Sequence, residues 1–138
     1  MAEVKLICDV FVPGRPVPKA RARVRRTKSG AAYAYNTRAT SEAQENIRKH
    51  LMAALTGVHL DTQKALQLYV QFLFDGEGRG EGPHTMKPDC SNLVKLVEDA
   101  LQPWIGDDCR IYRAGLEKVW TSGREGTLIM LYEVAEEV

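Results

Sequence analysis

No segment restricts the fold more than ALQLYVQFLF, residues 65 to 74, the longest apolar-rich run in the chain. Only Gln67 and Gln71 interrupt it, aromatic and branched side chains fill it, and a glycine-rich stretch follows it. It therefore reads as a strand. It is far too short to cross a bilayer as a helix, and the N-terminus lacks the basic-then-apolar layout of a secretory signal. With 138 residues, the chain has room for one domain with a real core and too little for two ordinary ones.

The flanking segments supply the other elements. VKLICDVFV (4 to 12) interleaves polar with apolar residues and reads as a strand ending at Pro13-Gly14. Prolines at 13, 16 and 18 keep the following stretch extended. ARARVRR and AAYAY alternate with period two on either side of Lys28-Ser29-Gly30, which predicts a hairpin. TSEAQENIRKHLMAALTG (40 to 57) is a helix, with Thr40 or Ser41 as its cap, Gly57 as its stop, and Ala43, Ile47, Leu51 and Ala54 at helical spacing. GEGRGEGPHTMKP (76 to 88) is a loop. A second helix runs from about Ser91 to Gln102. CRIYRAGLEKVW and GTLIMLYEV then read as two strands around TSGREG, a C-terminal hairpin. Helices and strands do not alternate strictly, so the expected class is α+β, a mixed β-sheet with two main helices in a single domain over residues 1 to 138.

The net charge of +1 conceals a split. Residues 1 to 50 carry 11 Lys and Arg against 4 Asp and Glu, which leaves 8 against 14 in the remainder. The first part is a candidate polyanion surface, and the second gathers the carboxylates. Three cysteines, Cys8, Cys90 and Cys109, have no C-x-x-C spacing, which argues against both a disulfide framework and a zinc knuckle. A reduced, cytoplasmic protein is expected.

The carboxylates fall in two places, KPDCSN (87 to 92) and GDDCR (106 to 110). On a helical wheel Leu93, Leu96, Val97, Ala100 and Leu101 share the core arc, and Ser91, Asn92, Lys95, Glu98 and Asp99 share the opposite one. Lys95 sits one turn beyond Ser91. Asp89 stands at the helix entrance, and Asp107 and Asp108 follow a short Trp104-Ile105-Gly106 connection. Taken singly, these residues read as a helix cap, a solvated turn and a surface lysine. If the next strand returns the doublet toward Asp89, two or three carboxylates converge beside a lysine. Magnesium takes such a site. It can activate water and offset charge on a phosphodiester, with Lys95 on a phosphate oxygen.

The block KPDCSNLVKLVEDALQPWIGDDCRI resembles the signature of the RusA family of Holliday junction resolvases, through Asp89, Asn92, Leu93, Lys95, Asp99, Ala100, Leu101, Asp107 and Asp108. The proline-rich PGRPVPKARAR segment and the order of elements are also similar. The resemblance implies a RusA-like fold and a small homodimeric endonuclease, of a family frequent in phages and prophages and thus of bacterial or phage origin. It implies that four-way DNA junctions are nicked at symmetric positions with Mg2+, manganese being able to substitute. It further implies Asp89 and Asp108 as metal ligands, Asp107 as ligand or support, and Lys95 on the scissile phosphate. Where the family commonly has a second aspartate, this chain has Ser91, a neutral and weaker ligand. Weaker magnesium dependence is the expected consequence.

Arg15, Lys19, Arg21, Arg23, Arg25, Arg26 and Lys28 form a basic arm with no acid among them. In a strand, Arg21, Arg23 and Arg25 project to one side about 6 to 7 Å apart, comparable to successive phosphates, and the contacts would be blind to sequence. Lys87 and Lys95 extend this candidate nucleic-acid surface. Tyr33 and Tyr35 could stack on bases, although half-buried sheet positions are the expected role. His50, His59 and His84 have no metal spacing, and His84 is expected in solvent. Trp104 and Trp120 read as packing anchors. Two rivals to the junction resolvase are a non-catalytic branched-DNA binding protein with a weakened metal site and a broader metal-dependent nuclease acting on flaps or single strands.

Overall fold

Strand β4 (Ala65–Asp75) is hydrogen-bonded along both edges, antiparallel to β7 (Gly126–Ala135) and parallel to β6 (Ile111–Thr121). In the computed structural model, which describes residues 3–20, 23–35, 37–60 and 63–135, the sheet order is β1-β7-β4-β6-β5. Here β1 is Glu3–Pro13 and β5 is Gly82–Pro83. The remaining strands, β2 (Arg23–Arg26) and β3 (Ala32–Tyr35), pair as a separate two-stranded hairpin. The mixed sheet with helices α1 (Arg38–Ala54) and α2 (Cys90–Ile105) is the expected α+β architecture. No described helix is long and apolar enough to cross a membrane.

The predicted C-terminal hairpin does not form. β6 and β7 are both present, but β4 lies between them. The link between them steps over the end of β4, where the Gly76 N–H donates to the Thr121 carbonyl at 3.1 Å and the Asp75 N–H to Glu125 Oε2 at 2.9 Å. The physical reason is burial. A long apolar strand left at an edge is a template for unwanted pairing, whereas between two ladders Leu66, Leu68, Val70, Phe72 and Phe74 are all at most 3% exposed.

The helices pack on that face of the sheet. Ile47 and Leu51 of α1 and Leu93, Val94, Leu96, Val97, Ala100, Leu101 and Ile105 of α2 join the β4 side chains, Ile129 and Leu131 in one cluster. The arc that the helical wheel assigns to the core of α2 is the arc that is buried. Helix α1 starts earlier than expected. Thr37 is its cap, with Oγ1 accepting the Thr40 N–H at 3.3 Å. Thr40 is buried instead, its Oγ1 accepting from the Thr37 hydroxyl and the Ala20 N–H.

Helix α2 also runs past its expected end. Pro103 is inside the helix and Trp104-Ile105 belong to its last turn. A proline there cannot donate to the carbonyl four residues back, which is that of Asp99. Arg48 of α1 compensates: Nη2 donates to the Asp99 carbonyl at 3.0 Å and Nε to that of Ala100 at 3.4 Å.

On the sheet face away from the helices, Gly126 and Gly115 seat the rings of Phe11 and Tyr69. A Cβ on Gly126 would stand 2.2 Å from Phe11 Cζ and 2.7 Å from the Val12 carbonyl oxygen. The backbone atom cannot swing aside. Gly126→Ala is expected to lower stability by about 1 to 3 kcal/mol, read as a lower midpoint in urea denaturation.

Candidate active site

Parallel strands need a crossover connection, and between β4 and β6 that crossover is α2. This sets where every acidic residue falls. The entrance of α2 lies beside the late part of β6: Lys118 Nζ donates to the Pro88 carbonyl at 2.6 Å and also to that of Met86. The exit of α2 feeds the first residues of β6. Sixteen helical residues separate the two ends by about 24 Å.

Asp89 occupies the N-cap position, with extended backbone and its carbonyl accepting the Asn92 and Leu93 N–H groups, but its carboxylate makes no capping bond. Both carboxylate oxygens instead lie 3.3 Å from Lys87 Nζ, in solvent. Ser91 and Lys95 are exposed on the outer side of α2.

Asp107 and Asp108 do not return to Asp89. Gly106, with φ +78°, reverses the chain, and Asp107 caps a 3-10 turn over Asp108–Arg110, its carboxylate accepting the Cys109 N–H at 3.0 Å. That bond, with contacts to the Cys109 thiol and the Asp108 side chain, holds the Asp107 carboxyl below its ordinary pKa. Asp108 folds back along α2 onto Glu98. The Glu98 carboxyl is pushed up by burial first, then by the negative charge of Asp108, by a hydrogen bond shared with it, and by the charge of Asp99, while Lys95 opposes the shift. The acid that meets the doublet is thus Glu98, nine residues or about 13 Å further along the helix axis than Asp89. The expected cage of Asp89, Asp107 and Asp108 is not assembled within the chain, because a crossover helix keeps its ends apart. Among the described residues, no three His, Cys, Asp or Glu side chains are grouped so as to hold a metal ion.

Glu98 was legible only as a member of the polar arc, one turn beyond Lys95. What singles it out is the reversal at Gly106, which brings Asp108 alongside. The donors here are oxygens only, held side by side at an energetic cost to the charged form. That chemistry fits a hard divalent cation, which needs one or two carboxylates and keeps several waters.

Two members of the predicted basic arm are tied to acids of the fold. Lys19 pairs with Asp99 on α2, and its N–H donates to the Asn92 carbonyl at 2.9 Å, so the proline-rich segment is laid along the helix. Arg15 pairs with Glu125 at 2.9 Å and lies over the Phe74 ring. Arg25, Arg26 and Lys28 are exposed on the hairpin, whose turn closes through the Thr27 N–H to Ala31 and the Gly30 N–H to Thr27. Arg21 lies outside the described residues, and so do the side chains of Arg23, Tyr33 and Tyr35.

Three further cations lie near the α2 entrance or the adjoining end of the sheet. Arg79 stacks on Trp120, Arg124 on Phe11, and Lys118 holds the loop before Asp89. His84 is part of this end and is not in solvent. It is 5% exposed, stacked on Trp120 with centroids 3.7 Å apart, and edge-on to Phe74. Burial, then the charges of Lys118, Arg15 and Arg79, hold its pKa below the ordinary value, and Nδ1 accepts the Met86 N–H at 3.1 Å as a neutral imidazole can. Trp120 is a packing anchor, as expected.

Comparison with curated proteins returned no match. The family profile described as Endodeoxyribonuclease RusA matches residues 13–132, from the end of β1 into β7 and across both acidic loci. By that match, the chain belongs to the RusA endodeoxyribonuclease family, and its inherited activity is that of an endonuclease.

Proposed function

We propose that this protein is a magnesium-dependent, structure-selective endodeoxyribonuclease that resolves Holliday junctions by paired symmetric nicks, working in the cytoplasm as a homodimer on branched DNA. The observation that supports the site assignment is the turn at Gly106 with the 3-10 segment after it, which packs back on α2 and sets Asp108 against Glu98, one turn beyond Lys95. It supplies two adjacent carboxylates and a cation on one exposed side of α2, within a family of endonucleases.

Glu98 and Asp108 are the carboxylates for the cation, with Asp107 as support. When bound, magnesium (or manganese) supplies the activation of water and the charge compensation that phosphodiester cleavage needs. Lys95 binds a phosphate oxygen and orients the scissile group. Asp89 and Ser91 serve the same DNA strand from the helix entrance as a second polar locus, too far along the axis to share one ion with Asp108. Arg15, Lys19, Arg25, Arg26 and Lys87, joined by Arg79 and Arg124, grip the backbone phosphates without reading sequence. Two equal cuts require two equal sites, which a symmetric dimer provides.

A synthetic four-way junction incubated with and without magnesium tests the reading. Paired symmetric nicks that need the metal are the expected result. Binding without nicks would favour the non-catalytic rival, and cuts on flapped or single-stranded DNA the broader nuclease. Asp108→Asn and Glu98→Gln should each lower the nicking rate by about a hundredfold or more, with junction affinity unchanged in a gel-shift assay.

Ser91→Asp restores the acid that the family commonly carries. Because residue 91 lies about 10 Å along the helix axis from Glu98, titration of nicking against magnesium should reach half-maximal rate at an unchanged concentration. A lower half-maximal concentration would place residue 91 in the metal's surroundings and overturn the assignment to Glu98 and Asp108.

For the basic hairpin, Arg25→Gln with Arg26→Gln should weaken junction binding evenly across sequences. The slope of log affinity against log salt should become shallower by about 0.9 for each phosphate that the variant no longer neutralises.

A further inference from the structure

We propose that Met86 is a wedge by which this protein selects branched DNA, its side chain entering the base stack where the strands cross. The inference rests on the proposed reading for its ligand and adds to it a residue that turns branch structure into selectivity. Met86 is 56% exposed in the loop that leads to α2, three residues before Asp89. Among the described residues, the other large apolar side chains left open lie on the sheet, on α1 or on the β2–β3 hairpin. Met86 borders the entrance of the acidic helix.

On a slack loop such a methionine would be ordinary, but this backbone is pinned. The Met86 N–H donates to His84 Nδ1 at 3.1 Å, and its carbonyl accepts from Lys118 Nζ. The same ammonium donates to the Pro88 carbonyl at 2.6 Å. The His84 N–H donates to the Lys118 carbonyl at 3.0 Å, and its ring is stacked on Trp120. The chain on both sides of Met86 is thus fixed to β6. The side chain is presented on a segment already ordered by folding, so little backbone freedom is left to lose on binding.

Charge around the loop selects a polyanion. The described charged side chains that bond within residues 84–89 are Arg79, Lys87, Lys118 and Asp89, and Asp89 accepts from Lys87. Glu81, the nearest acid upstream of Met86, is bonded to the Ser122 hydroxyl. Arg79 is braced over Trp120, 4.7 Å from the ring centroid, and its Nη1 lies 3.3 Å from Met86 Sδ. A thioether is a weak acceptor. A DNA phosphate takes the guanidinium in its place, and the methionine is released toward the bases as the backbone is gripped. An apolar wedge must unstack the step that it enters. In a continuous duplex that cost is met in full, whereas at a crossover the stack is already interrupted and insertion costs less. Methionine suits such a gap because its unbranched, polarisable chain adapts to irregular apolar surfaces.

Fluorescence of 2-aminopurine, which brightens when its stacking is lost, tests the wedge. The base is placed in the pairs bordering the branch of a synthetic four-way junction and, as a reference, inside a linear duplex. The whole protein is titrated in without magnesium, so that metal-dependent nicking is silent. The signal should rise on the junction and not on the duplex. Met86→Ala should abolish the rise and lower the preference for junction over duplex roughly tenfold, the scale set by a methionine's apolar surface, with an unchanged circular dichroism spectrum. Met86→Leu should retain both, and Met52→Ala, at an exposed methionine of α1, should change neither. The assignment is overturned by no rise with the wild type, by a rise or a junction preference that survives Met86→Ala, or by an equal loss with Met86→Leu or Met52→Ala. Nicking with magnesium is scored separately. Nicks without the rise keep the nuclease reading and sink the wedge. A rise that depends on Met86, with no nicks, does the opposite.

Discussion

The double ladder of β4 is the constraint on which the rest of the structure depends. Once β4 lies parallel to β6, the chain between them must travel the length of the sheet and come back. Helix α2 makes that journey with its apolar arc on the β4 side chains. Its direction is then fixed, with its entrance at the carboxyl ends of β4 and β6 and its exit at the start of β6. The two acidic loci inherit that separation.

Acid chemistry in this fold is consequently organised along a helix side and not around a point. Ser91, Lys95 and Glu98 follow one another at turn spacing, and the reversal at Gly106 delivers Asp108 to the far member of the row. A phosphodiester strand laid along α2 would meet a carboxylate and hydroxyl at the entrance, a lysine midway and a carboxylate pair beyond. The cations at the sheet's end are braced by stacking on aromatic rings or, in the case of Lys118, by bonds to backbone carbonyls. They are positioned charges more than flexible ones.

Local features were legible in the sequence because they depend on local physics. The apolar run of β4, the apolar arc of α2 and the turn near Gly30 all appear where the local sequence placed them. Non-local features were not. TSGREG is a competent turn, and nothing within it says that a third strand will enter between the two it joins. The exit of α2 is hidden because Pro103 reads as a stop, and its remedy, Arg48, is 55 positions earlier in the chain. The stacking of His84 between Trp120 and Phe74 likewise depends on strands that meet only in the folded sheet. Glu98 is inconspicuous because a glutamate on a polar arc is ordinary until another carboxylate is set against it.

The Arg48 contact reaches beyond helix repair. Lysine would not reproduce it, since it offers one donor nitrogen where the guanidinium sets two, Nη2 and Nε, against the Asp99 and Ala100 carbonyls. The final turn of α2 is the mounting from which Gly106 swings Asp107 and Asp108 into position, and Arg48 ties that mounting to α1 alongside the apolar packing of the two helices. Orientation of the acidic pair is thereby governed from a helix that contributes no acid to it. A substitution at Arg48 would therefore act on where the carboxylates stand and not on their number.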